Sequence, residues 1–203
     1  MHAMRHIIGI DEAGRGPLAG PIVVAGVRMS PRLATKILVG VRDSKQLSAK
    51  QREEWFLCLT KHPDIAWSVA RISPAVIDRI NIYQAAQLGA WRVYRKLQVP
   101  PPQPLLTKEG IEGRLEIVLL DGSLHLPKHI LHETIIKGDE LIPIIAAASI
   151  IAKVTRDRTM LRLHKKYPQY RFDLNKGYGT KLHREMIHKF GQCAIHRKSF
   201  RCS

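Results

Sequence analysis

Two adjacent carboxylates, Asp11 and Glu12, close a short apolar run (Ile7–Ile10) and are followed at once by the turn Gly14-Arg15-Gly16. Carboxylate oxygens are ligands for hard divalent cations, and amides exposed in a glycine turn bind phosphate or hydroxyl groups. Successive residues of a regular strand point to opposite faces, so the pair can share a site only where the strand is ending. Asp121 repeats the arrangement: Leu115 to Leu120 is nearly all apolar and runs into Asp121-Gly122. That places a carboxylate at the end of a buried strand, where ligands of α/β proteins bind. Ser149, Lys153 and Asp157 follow at i, i+4 and i+8 as a polar stripe on an otherwise apolar helix. A lysine there needs a counter-charge or a cleft. Tyr178, between Gly177 and Gly179, has little to pack it inward and reads as an exposed stacking platform.

Composition frames this chemistry. The 203-residue chain has 33 Lys and Arg against 17 Asp and Glu, a net charge of +16. That predicts a polyanionic partner bound through salt-sensitive contacts. A basic binding protein without catalysis would share the charge. It would not account for carboxylates at two strand ends and on a helix stripe, since these oppose phosphate unless a metal intervenes. With 45% hydrophobic residues, one domain over 1–203 is expected, its helical C-terminal part covering about 166–203. Three scattered cysteines, Cys58, Cys193 and Cys202, suit reduced thiols in a cytoplasmic protein. The longest apolar run, Leu141 to Ala152, is too short for a span of roughly 20 residues, so no membrane association is expected.

The elements that must position these residues can be read in outline. Strands are expected over His6–Asp11, Ile22–Val27 (ending near Ser30-Pro31), Ile65–Ile72, Leu115–Leu120 and His132–Lys137. Ser48-Ala49-Lys50-Gln51 is a capping box opening a helix to about Lys61. Ser73-Pro74 and then Asn81 suit the start of a long helix to about Leu97. Val99 to Gly113 reads as a surface connection. Asp139 is expected to cap a helix that bends once and reaches about Lys166, and a last helix covers Thr180–Phe190. The fold class is α/β with a mixed sheet.

Two other motifs carry no chemistry. Gly14-x-Gly16-x-x-Ala19 superficially fits a dinucleotide fingerprint, but a strand follows it where a helix is required. His125, His129 and His132 have tempting spacing, but Pro127 lies between them and no cysteine is near.

Taken together, Gly9-Ile10-Asp11-Glu12-Ala13-Gly14-Arg15-Gly16-Pro17-Leu18-Ala19-Gly20-Pro21, Asp43-Ser44-Lys45, Asp121-Gly122 and Lys137-Gly138-Asp139 resemble ribonuclease HII. The helix from Ala146 to Asp157, Lys176-Gly177-Tyr178-Gly179-Thr180 and His196-Arg197-Lys198-Ser199-Phe200 extend the resemblance to nearly the whole chain. It implies a ribonuclease H-like fold: a five-stranded mixed sheet flanked by helices, with C-terminal helices. It also implies an endonuclease that cleaves the RNA strand of RNA–DNA hybrids and incises 5′ of single ribonucleotides in duplex DNA. The products would carry 5′-phosphate and 3′-hydroxyl ends, in ribonucleotide and primer removal.

By the family's pattern Asp11, Glu12, Asp121 and Asp157 hold two divalent ions, Mn²⁺ or Mg²⁺. Gly14, Arg15 and Gly16 would read the 2′-hydroxyl, and Tyr178 would stack on the next sugar. Lys45, Ser149 and Lys153 would contact substrate near the scissile phosphate. Nothing demands more than a monomer, and the basic tail from Arg197 has no assigned role.

Overall fold

The computed structural model describes residues 6–41, 43–98 and 116–201. The Val99–Gly113 connection and Cys202 lie outside the described residues. Five strands form one sheet: β1 (His6–Ala13), β2 (Ile22–Met29), β3 (Ala66–Ile72), β4 (Glu116–Asp121) and β5 (Glu133–Ile135). Their order is β3-β2-β1-β4-β5, antiparallel from β3 to β1 and parallel from β1 through β4 to β5. This is the expected mixed sheet. α1 (Pro31–Ile37), α2 (Ala49–Lys61), α3 (Pro74–Leu97), α4 (Gly138–Leu141) and α5 (Pro143–Lys166) surround it. A 3₁₀ turn (Pro168–Tyr170), α6 (Phe172–Asn175) and α7 (Lys181–Phe190) follow.

Period-2 alternation sorts the sheet's side chains into two cores. Ile8 and Ile10 of β1, with Val118 and Leu120 of β4, pack under α3. Ile7 and Leu119 face α5. Asp11 and Asp121 continue the α5-facing series. The parallel register pairs Ile10 with Leu120, so the two carboxylates are next in line on neighbouring strands. Close approach of α5 depends on Gly9, where a Cβ would lie 2.3 Å from the Ile144 carbonyl oxygen. The segment Ile144–Ala152 is buried throughout, as its apolar run demands.

The capping signals at Ser48 and Thr180 form as expected: Ser48 makes a full capping box with Gln51, and Thr180 accepts the N–H of His183. Asn81 has φ 64° and its Oδ1 accepts the N–H of Gln84, so it interrupts α3 and restarts it. Other expectations need correcting. β1 continues beyond Asp11 to Ala13 because β2 still pairs with it there. Ser30-Pro31 does more than end β2: Ser30 caps α1, with Pro31 at its first position. Asp139 caps nothing. The residue before α4 is Lys137, in the left-handed region at φ 57°, and Ile142 is extended between α4 and α5. Among the described residues no helix is long and apolar enough to cross a membrane.

Candidate active site

β4 stops at Asp121 while β1 runs on, and this leaves a cleft of about 310 Å³ at the end of the parallel pair. Asp11, Glu12 and the Gly14–Gly16 turn line one side. Asp121, Asp139, Lys45 and Lys153 line the cleft as well, together with the exposed Tyr178. Although Asp11 and Glu12 leave opposite faces of β1, both line this space, where the pairing with β4 has stopped at Ile10 while β2 still pairs on the other side.

Carboxylate oxygens of Asp11, Asp121 and Asp139 lie within 4.8 Å of one another. Asp11 and Asp139 are buried and Asp121 is partly so. The loop after β5 brings in Asp139: its backbone N–H donates to Asp121 Oδ1 at 3.2 Å, which turns its own carboxylate toward the cluster. Burial, reinforced by the charges of Glu12 and Asp121, holds the Asp11 carboxyl well above the ordinary range. Burial also raises Glu12, against the pull of Arg15, and raises Asp121, helped by the charge of Asp139. Glu12 gives one oxygen to Arg15, while its buried Oε2 has no protein partner. Oxygen-only donors with mutual repulsion and an orphaned acceptor fit divalent cations such as Mg²⁺ or Mn²⁺. A cation would remove the repulsion that now raises these groups.

One expectation about the helix stripe is corrected. Asp157 does not line the cleft; it pairs with Lys153 Nζ at 3.0 Å. Eight residues along a helix advance about 12 Å and rotate a side chain by about 80°, so Asp157 has left the face that Ser149 presents. Ser149 does line the cleft, but its hydroxyl is buried between Ser44 Oγ at 2.8 Å and Asp11. It is placed to orient Asp11. Lys45 is exposed and its Nζ lies 2.8 Å from Asp139 Oδ2, a bond that pushes its pKa up.

The turn has its own support, which composition and spacing concealed. Gly14 adopts φ 99°, and a Cβ there would meet the Nε of Arg156 at 2.1 Å, so only glycine is accommodated. Gly16 is open to solvent, with nothing within 4 Å of a Cβ position. Arg197 binds the carbonyls of Gly14, Arg15 and Gly20 from behind. The stretch read as a basic tail is therefore packed into the fold, and Arg197 is fully buried. Its only local signal was membership of the His196–Phe200 block. Asp139 was likewise visible only as part of Lys137-Gly138-Asp139, where it read as a cap.

Comparison with known proteins agrees with this geometry. The family model "Ribonuclease HII" matches residues 8–203. Ribonuclease HII of Coxiella burnetii (strain Dugway 5J108-111) is 43% identical over 196 residues, covering 96% of this chain and 87% of that protein. Ribonuclease HII of Xanthomonas campestris pv. campestris (strain 8004) is 46% identical over 198 residues, covering 97% and 75%. The structure of the PCNA:RNase HII complex from Archaeoglobus fulgidus contains a similar chain: TM-score 0.71, 28% identity, coverage 96% and 95%. With an acidic cleft at the end of a β3-β2-β1-β4-β5 sheet and this likeness along nearly its full length, the chain belongs to the ribonuclease HII family, endonucleases that degrade the RNA of RNA–DNA hybrids.

Proposed function

We propose that this endonuclease is metal-dependent and incises duplex DNA on the 5′ side of a single embedded ribonucleotide, as well as cutting continuous hybrids. One observation carries the reading: the carboxylate cluster and the Gly14–Gly16 turn share a single cleft with an exposed tyrosine. Asp11, Glu12, Asp121 and Asp139 would hold two divalent ions. Bound there, such ions supply Lewis-acid stabilisation of the scissile phosphate and the leaving 3′ oxygen.

The chain's own residues do the rest. Amides of the Gly14–Gly16 turn lie against the ribose, whose 2′-hydroxyl is what separates RNA from DNA at one nucleotide. Tyr178 packs its ring on the following sugar. Lys45 and Lys153 offer cations to the phosphate near the cut, Lys45 exchanging Asp139 for it. Ser149 keeps Asp11 oriented. One copy of the chain supplies all of these groups, so a monomer suffices.

The test is a labelled duplex holding one ribonucleotide, incubated with Mg²⁺, Mn²⁺ or EDTA. Incision 5′ of the ribonucleotide, absent with EDTA, is expected. Cleavage confined to long hybrids would remove the junction-reading role of the turn and Tyr178, and cleavage undiminished by EDTA would remove the metal.

A further inference from the structure

Arg156 and Arg197 are both fully buried, and among the described residues neither forms an ion pair with a carboxylate. Burying an unpaired guanidinium is costly, so something must offset it. Backbone carbonyls do so for five of the six guanidinium nitrogens; Arg156 Nη1 is buried without a hydrogen-bond partner. Arg197 donates to Gly14 at 2.6 Å, Arg15 at 2.7 Å and Gly20 at 3.0 Å. Arg156 donates to Lys176 at 3.0 Å, Pro21 at 3.2 Å and Ala19 at 3.3 Å. The Arg156 guanidinium carbon also lies 5.5 Å from the centre of the Tyr178 ring. The loop before Tyr178 is joined to the same segment, since Gly177 O accepts the N–H groups of Leu18 and Ala19. Turn, Tyr178 loop and C-terminal segment are thus one body with two cations at its centre.

We infer that Arg156 and Arg197 are positioning residues that fix the Gly14–Gly16 turn relative to Tyr178, and that this fixed spacing sets the preference for a lone ribonucleotide over a continuous hybrid. The inference rests on the function proposed above. A duplex with one ribose offers a single productive register, so an ill-placed turn loses the whole of its recognition there. A continuous hybrid presents a ribose at every step and tolerates the displacement better. Planar, forked donors are required, because a lysine delivers one point charge and cannot span two carbonyls of a turn at once.

The experiment compares wild type with R197K and R156K, measuring kcat and KM on a one-ribonucleotide duplex and on a continuous hybrid, well below each variant's melting midpoint. Both variants should melt cooperatively and lose at least about tenfold more kcat/KM on the one-ribonucleotide duplex than on the hybrid. Parallel losses on the two substrates, or no loss, would overturn the inference. So would failure of both variants to melt cooperatively, which would assign the guanidiniums to folding alone. If wild type itself spares the lone ribonucleotide, the function reading has failed before any variant is compared.

Discussion

The backbone N–H of Asp139 donates to Oδ1 of Asp121 at 3.2 Å, so the strand that ends in one carboxylate also seats the short helix that delivers the next. Three carboxylates from β1, β4 and α4 thereby meet in one cleft. This relationship separates Asp139 from Asp157.

Asp139→Asn should reduce cleavage by about 100-fold or more, because it removes a charged donor from the cluster. Asp157→Asn should change kcat no more than about threefold, since it breaks only a partly exposed pair with Lys153. Steady-state rates on a hybrid substrate decide between them; the reverse order would restore Asp157 as a ligand.

Asp11 is buried beside two other carboxylates with its pKa raised, so its ionised form destabilises the metal-free fold. In EDTA near neutral pH, Asp11→Asn should melt above wild type. Adding Mg²⁺ or Mn²⁺ should raise the wild-type midpoint and raise that of the variant much less. Differential scanning calorimetry with and without metal measures both effects. A variant that melts below wild type in EDTA would contradict the electrostatic account.

Gly9→Ala would force a methyl against the backbone of Ile144. Overpacking of this kind costs about 2–3 kcal/mol. Helix α5 would move away from β1, taking Ser149 from Asp11, so activity should fall along with the denaturation midpoint. Retention of wild-type stability in urea unfolding would mean that α5 does not bear on β1 at that point.

The His183–His196 pair sets a pH limit on the C-terminal lobe. His183 Nδ1 meets the Tyr178 carbonyl, the two Nε2 atoms are 3.1 Å apart, and His196 Nδ1 accepts the N–H of Cys193. Tyr170 and Phe172 enclose the rings. Burial, then the neighbouring imidazole, pushes His196 down to about 4, and burial also lowers His183. Folded values below the unfolded one near 6.5 mean the fold binds fewer protons. The pair's contribution is therefore complete above about pH 6.5 and is lost as pH falls toward 4. For His196 alone the loss is on the order of 2–3 kcal/mol. Urea midpoints between pH 7 and 4.5 should fall more steeply for wild type than for His196→Gln; equal slopes would refute the assignment.

Much of the site can be read from residue order because it depends on local rules. Strand parity places Asp11, a strand end places Asp121, and short-range capping places Ser48 and Thr180. Glycine flanks leave Tyr178 exposed. What cannot be read locally are partners set by tertiary approach. Asp139 has the composition of a helix cap, and only the position of the β4 end turns it into a cluster member. Asp157 shares a helical stripe with Ser149 on paper, but the rotation accumulated over eight residues separates them. Arg156 and Arg197 look like any surface basic residue, because all but one of the carbonyls they bind lie at the other end of the chain.

The order in which these carboxylates occur along the chain has a further consequence. Asp11 and Asp121 become neighbours only when β1 and β4 pair in parallel, and Asp139 joins only when α4 docks beside them. A cation held by all three would clamp chain segments remote in sequence, limiting their separation much as a covalent cross-link does. The catalytic ion would then also act as a kinetic brake on unfolding, slowing separation of the sheet's central strands while it is bound. An unfolded or mispaired chain would have no such clamp and no nuclease centre, so cutting would be confined to molecules whose central strands are already in register.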